Sequence, residues 1–237
     1  MKHFFGIIGG MGTVATTNFL EEMNKLYRPE SDQAYLNYIL FNHATVPDRT
    51  AYILDHNQAS PVEPLIEDIK QIESLGPDFL AIPCNTAHYF FDDLQAATDL
   101  PIINMLTLVE EALADHQGEK IGICATKGTS QSGLYHRTIE RAGCQPLAPD
   151  EALQEKIMTL IYDQVKNQAL ADLSLYEEIL SDFMDQGASA VILGCTEVSY
   201  VNSHDPKKAF PIIDAEKLLV AEVVRQGIQT QGKEANS

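Results

Sequence analysis

Basic side chains are scarce in this 237-residue chain: 16 lysines and arginines stand against 34 aspartates and glutamates, a formal charge of −18 at pH 7. Such a surface repels nucleic acid and anionic membranes, and both are set aside as partners. Any cation that holds an anionic substrate must therefore be placed locally, against the overall field. Long apolar runs are missing as well; none approaches the ~20 residues a membrane helix needs. The opening MKHFFGIIGG has one lysine and a short apolar segment broken by glycines, with no signal-peptide cleavage pattern after it. Cysteine is sparse, with Cys84, Cys124, Cys144 and Cys195 and no CxxC pair among them. Zinc and thioredoxin-like chemistry are thereby left without support, and no metal is expected. The expectation is a cytoplasmic protein with reduced thiols.

What is present is an alternating pattern. Apolar residues make up 45% of the chain, enough for one large or two modest domains with a real core. HFFGIIGG reads as a buried strand and TVATTNFLEEMNKLY as a helix. AYLNYILFN, DFLAI, LPIINM, EKIGICAT, AVILGC and FPIID read as further strands, with helical periodicity between them. DEALQEKIMTLIYDQVKN reads as one amphipathic helix, and the polar tail TQGKEANS as a frayed end. Strands alternating with helices predict a parallel α/β sheet covered on both faces.

An internal repeat sharpens this. IESLGPDFLAIPCNTAHYF and FMDQGASAVILGCTEVSYV each run from a helix end through a glycine and a buried strand to Cys with Thr close behind. Cys84 is followed 17 residues later by Pro101, and Cys195 16 residues later by Pro211. The starts of the halves match too: GIIGGMGTVATTNFL resembles IGICATKGTSQSGLY, at an offset of 116 against 111 between the cysteines. The reading is a duplicated α/β unit: two similar α/β domains with parallel central sheets, related by pseudo-twofold symmetry. The expected division is 1–104 plus 211–237 for the first domain and 105–210 for the second. Ligands of open parallel sheets bind beyond the carboxyl ends of the strands. Both Cys84 and Cys195 sit at such ends, so the active site is expected in the inter-domain cleft.

A lone cysteine is usually a small buried hydrophobe, and that is the expectation for Cys124 and Cys144. Cys84 and Cys195 differ, because each stands where a strand hands over to a helix. There the helix dipole is expected to lower the thiol pKa. Two equivalent thiols facing one site suit the inversion of a carbon centre. One removes a proton from one face, the other delivers one to the opposite face, and the reverse reaction swaps the roles.

GIIGGMGTVAT, TVPDRT, IPCNTAH, ATKGT and LGCTE together resemble the aspartate/glutamate racemase superfamily, its aspartate branch most closely. The resemblance runs in order along essentially the whole chain. It implies a cofactor-independent amino-acid racemase, a homodimer, and two catalytic thiols, which match Cys84 and Cys195. There are departures. Thr13 stands where family members commonly have proline after GGMG. Gly10-Met11 stands where glutamate racemases are expected to carry Asp-Ser, which favours the aspartate branch and makes Met11 a candidate substrate contact.

An aspartate substrate has two carboxylates. Arg49 in TVPDRT can grip one with its planar fork. Lys166 in IYDQVKNQ matches a substrate-binding lysine of the aspartate branch. Asn85, Thr86, Thr126, Thr129 and Thr196 lie at strand ends and suit the α-carboxylate and ammonium, although Thr and Asn are also ordinary helix caps. Asp48 and Glu197 are candidate supporting acids that orient a thiol or bind the ammonium. No PLP-type lysine motif is evident, so electrostatics must stabilise the carbanion. His88, four residues after Cys84, opens a Cys-His hydrolase reading, which the second half does not repeat. The glycine-rich GIIGGMGTVAT lacks both the GxGxxG spacing and a Gly-Lys-Ser/Thr ending. Its glycines are expected to bring backbone close to the substrate and cleft wall. The expected activity is interconversion of L- and D-aspartate. The alternatives are a glutamate or broad-specificity racemase, a maleate-isomerase-like or decarboxylase-like relative, a non-catalytic amino-acid-binding protein, or a nucleotide-binding α/β protein.

Overall fold

The computed structural model describes residues 1–232; the last five residues of the expected frayed tail, 233–237, lie outside the described residues. The first half comprises β1 (Phe5–Gly9), α1 (Thr13–Leu26), β2 (Tyr38–Asn42), α2 (Arg49–Leu54), α3 (Val62–Glu73), β3 (Leu80–Ala81) and α4 (Phe91–Ala96). There follow α5 (Met105–Ala112), β4 (Lys120–Cys124), α6 (Lys127–Gln131), α7 (Leu134–Arg141), β5 (Gln145–Leu147), α8 (Glu151–Met158), α9 (Leu173–Asp185), β6 (Ala190–Leu193), α10 (Thr196–His204), β7 (Ile212–Asp214) and α11 (Ala215–Gly232). Residues 230–232 of the tail thus belong to a helix rather than to a frayed end.

Two parallel sheets result, ordered β2-β1-β3 and β5-β4-β6-β7. A bridge from Leu80 to Ile102 adds a single-residue fourth position to the first sheet, in the place β7 takes in the second. The halves therefore repeat one topology. The expected domain boundary at 211 needs one correction. Residues 212–214 pair with β6, so this strand belongs to the second sheet, while α11 returns to pack against α1 and α5. Ladder hydrogen bonds, which sequence periodicity does not show, decide that placement.

Side-chain alternation along the strands divides the core. Phe5 and Ile7 of β1, Ile121 and Ile123 of β4, and Ala190 and Ile192 of β6 share one apolar cluster with α5 and α11. Their neighbours turn outward: Ile8 packs with α3, while Cys124, Val191 and Leu193 pack with α8, α9 and α10. The central cluster fixes the two sheets to each other. It also brings the carboxyl ends of β1, β3, β4 and β6 to one region.

Two local elements depart from expectation. After Cys84 the chain forms a short 3-10 helix, Thr86–Phe90, before α4. The single amphipathic helix expected from residue 150 onward is α8 followed by an eight-residue π-helix, Thr159–Lys166. π-Helical turns are frequent at functional sites, where the wider turn re-aims side chains.

Candidate active site

Cys84 and Cys195 line one small cavity between the halves, together with Met11, Asp48, Arg49, Thr50, Asn85, Thr86, Thr126, Tyr162, Lys166, Thr196 and Glu197. Its volume is about 10 Å³, room for about one water. A second pocket of about 300 Å³ adjoins it, walled by residues 10–14, Ala44 and Val46, and shares Met11, Asp48, Arg49, Lys166 and Glu197 with it. The inner cavity is thus a closed site, with an outer pocket leading to its rim. Of the residues expected here, Thr129 alone is set back. It is fully buried and holds Thr86 and Thr126 from behind through hydroxyl contacts of 3.0 and 3.1 Å.

Cys195 caps the N-terminus of α10, and its Sγ–H donates to Glu197 Oε2 at 2.8 Å. The dipole was expected to lower this thiol's pKa. Burial pushes it well above the ordinary value instead, and the facing Glu197 carboxylate adds to that, against a smaller opposing effect of Lys166. Cys195 is therefore a protonated thiol. Cys84 precedes only a five-residue 3-10 helix, and its Sγ–H donates to the Met11 carbonyl at 4.0 Å. His88 is buried, and both its ring nitrogens face backbone carbonyls: Nδ1 that of Cys84 at 2.9 Å and Nε2 that of Ile103 at 3.5 Å. Burial lowers its pKa, so it is a neutral structural residue rather than half of a Cys-His pair.

Arg49 is 7% exposed at the start of α2. Nη1 donates to the carbonyls of Val46 and Pro47 at 3.2 and 3.0 Å, and Nη2 to that of Met11 at 2.6 Å. Its Nε–H has no partner, and no carboxylate pairs with it among the described residues. The adjacent Asp48 caps α2 through Ala51 N at 2.8 Å and accepts from the Tyr162 hydroxyl at 3.1 Å. Lys166 closes the π-helix. Its Nζ lies 3.8 Å from Glu197 Oε1 and 4.5 Å above the Tyr162 ring. Burial alone would lower its pKa, but Glu197, Tyr162 and Cys195 outweigh that and raise it, so Lys166 is a firm ammonium.

Three polar atoms of these cavity-lining residues are buried without a hydrogen-bond partner: Arg49 Nε, Asn85 Nδ2 and Glu197 Oε1. Two are donors and one is an acceptor. Each of the two donors costs ~1–3 kcal/mol while unpaired, and Glu197 Oε1 has only the Lys166 ammonium at 3.8 Å, so the site favours a ligand that supplies the complementary groups. Asn85 is held in place by the Tyr135 hydroxyl, which donates to its Oδ1. The glycine loop closes the wall. A Cβ on Gly12 would lie 2.5 Å from Glu197 Oε1, and Gly10, at φ +90°, lies against the backbone of His43. Sequence reasoning missed Thr50, Tyr162 and Tyr135. Thr50 bonds Thr126 across the halves at 3.1 Å, and Tyr162 bonds Asp48. Both stand inside motifs already singled out, but a hydroxyl carries no sequence signal of its own.

The Asp/Glu/Hydantoin racemase family matches residues 8–223. The broad specificity amino-acid racemase RacX of Bacillus subtilis is 28% identical over 229 residues, 92% of this chain and 96% of that protein. A glutamate racemase of Persephonella marina is 27% identical over 176 residues, 70% of this chain and 65% of that protein. Among solved structures, Picrophilus torridus aspartate racemase superposes with a TM-score of 0.83 at 27% identity, over 96% of this chain and 98% of that one. Since the family match extends from β1 into α11, through both cysteine-bearing strand ends, this chain belongs to the Asp/Glu/hydantoin racemase family.

Proposed function

We propose that the protein interconverts L- and D-aspartate without a cofactor, using Cys84 and Cys195 as the two bases. The observation that carries this reading is a set of three buried atoms without a hydrogen-bond partner on residues that line one cavity with both thiols: two donors for a carboxylate, and one acceptor for an ammonium that has only Lys166 Nζ, at 3.8 Å. That pattern is the complement of an amino-acid zwitterion. Arg49 and Asn85 take the α-carboxylate, and Glu197 Oε1 takes the ammonium. Lys166, only 3.8 Å from a single carboxylate oxygen, takes the side-chain carboxylate.

Cys195 holds its proton in the free enzyme, so it acts first as the acid. In that half-reaction Cys84 takes the α-proton from the enantiomer that faces it; the Sγ–H bond forms as the Cα–H bond breaks and its electron pair stays on Cα. The Cys195 proton then moves to the opposite face of Cα, leaving a thiolate beside Glu197 and Lys166. Donors aimed at the developing negative charge contribute ~3 kcal/mol each. The closed cavity keeps them dry, and the substrate enters from the outer pocket as the halves part. The resemblance to racemases also implies a homodimer, which sedimentation can read.

RacX favours a second reading, that the enzyme accepts several amino acids. Incubating pure protein with a panel of L-amino acids in D2O separates the two. Proton NMR should show fastest loss of the Cα–H signal for aspartate. A faster glutamate or equal rates across the panel would support the second reading. No loss with any of them, alongside calorimetric binding of aspartate, would leave a non-catalytic binding protein.

A further inference from the structure

The two halves differ in what stands one turn behind each thiol. Four residues on from Cys84 is His88, and four on from Cys195 is Ser199. Both are buried, and neither lines the cavity that holds the sulfurs. A polar side chain in such a place costs free energy unless its bonds are made. Both reach toward the strand end that follows their cysteine in the repeat, 102–104 in the first half and 212–214 in the second. The Ser199 hydroxyl donates to Asp214 Oδ1 at 2.7 Å. Asp214 is itself buried and accepts three more bonds: from Asn202 Nδ2 at 2.8 Å, and from the N–H groups of Glu216 and Lys217 at 3.1 and 3.2 Å. Capping α11 needs only the last two. Asn104, at the matching place of the first half, caps α5 through Leu106 N at 2.9 Å. The bonds to Ser199 and Asn202 go beyond a cap. They pin α10, the helix that Cys195 caps, to the end of β7.

In the first half His88 makes the corresponding link. A neutral imidazole has one N–H, and the shorter contact places it on Nδ1, which donates to the Cys84 carbonyl at 2.9 Å. Nε2 faces the Ile103 carbonyl at 3.5 Å, and the ring stacks on Phe91. The sulfurs' own contacts cannot do this work. Cys195 Sγ bonds Glu197 of its own helix, and the Cys84 Sγ contact is 4.0 Å long. A group that trades a proton with Cα must nevertheless be held to a fraction of an ångström. We propose that His88 and the linked Ser199 and Asp214 are positioning residues, His88 setting the place of the Cys84 sulfur, and Ser199 with Asp214 that of the Cys195 sulfur. The proposal rests on the two-thiol racemase reading.

Ser199→Ala removes the link to α10 and leaves the α11 cap in place. His88→Phe and His88→Leu both remove the N–H, while His88→Asn keeps a donor near the Nδ1 position. Each loss variant should lower kcat/KM roughly tenfold, since even ~1 Å of misplacement costs about 10²-fold. Mirror-image aspartates have equal free energies, so that fall is the same in both directions and does not say which sulfur moved. Deuterium at Cα does say. When one thiol is misplaced, the enantiomer it deprotonates gives a carbanion that it also reprotonates slowly. That carbanion goes forward more often, and the isotope effect on kcat/KM rises. The other enantiomer depends on the misplaced thiol to finish, so its carbanion returns and the effect shrinks. With L- and D-aspartate each run protiated and Cα-deuterated, the ratio of the two effects should shift one way in Ser199→Ala and the opposite way in the His88 loss variants. His88→Asn should keep the parent ratio. Slower variants with the parent ratio would mean packing alone and overturn the proposal, as would shifts in the same direction. A His88→Asn protein that shifts like His88→Phe would overturn the role of the His88 N–H. A parent protein that racemises no amino acid would overturn the racemase reading, and the positioning roles with it.

Discussion

Replacing Arg49 by lysine isolates the carboxylate-gripping role from the structural one. A guanidinium has five N–H bonds. Three of them meet the carbonyls of Val46, Pro47 and Met11, which leaves Nε–H and one Nη2–H for the substrate. A lysine ammonium has three donors radiating from one atom. It can still reach the carbonyls, but it cannot present a side-on pair to a carboxylate. At least one charged hydrogen bond to the substrate is lost, worth ~1.5–3 kcal/mol, or roughly a 10- to 150-fold fall in kcat/KM. Arg49→Ala goes further. It leaves three carbonyls without their donor as well, so its melting temperature should fall while that of Arg49→Lys barely moves. Circular dichroism of L-aspartate conversion gives kcat/KM, and thermal melts give the stability. An Arg49→Lys protein with kcat/KM within twofold of the parent would refute the assignment of Arg49 to the carboxylate.

Cys84→Ala and Cys195→Ala should each abolish racemisation, by ~10³-fold or more as for loss of a reacting group, with the far-UV spectrum unchanged; full activity in either would end the two-base scheme. Glu197→Gln removes the carboxylate that helps keep Cys195 protonated, so alkylation of Cys195 by iodoacetamide, read by peptide mass mapping, should set in at lower pH than in the parent. An onset at the same or higher pH contradicts that account. Burial pushes the Cys124 thiol up from 9.0 to about 12. Below pH 9 both folded and unfolded chains keep this proton and its contribution to stability is fully present. As the pH rises from 9 toward 12 the unfolded chain releases the proton first, and stability falls. Chemical denaturation across that window should show the fall, and Cys124→Ala should make it shallower, the buried Cys195 thiol supplying part of what remains; an unchanged slope would mean that Cys124 does not contribute to it.

The two thiols were legible because the chain says the same thing twice. A buried strand followed by Cys and Thr recurs with the same spacing to a Pro-Ile-Ile strand, and parallel sheets put such ends in one place. Arg49, Lys166 and Glu197 were legible only through their motifs, since a cation or acid near a helix start has many ordinary uses. Three features stayed hidden. Residues 212–214 look like the counterpart of 102–104, and only ladder bonds reveal that β7 completes the second sheet. The π-helix has the apolar spacing of an ordinary amphipathic helix, so the placing of Tyr162 beside Asp48 could not be read from periodicity. The dipole argument for an acidic thiol failed at Cys195 because burial and a carboxylate at 2.8 Å are stronger than one helix end.

The central claim is that two separate sulfurs handle the two proton transfers, and the early partition of isotope tests it most directly. L-aspartate incubated in D2O with the protein should yield D-aspartate that carries deuterium at Cα while the recovered L-aspartate is still protiated. Deuterium appearing in recovered substrate as fast as in product, or protium carried over into product, would contradict it.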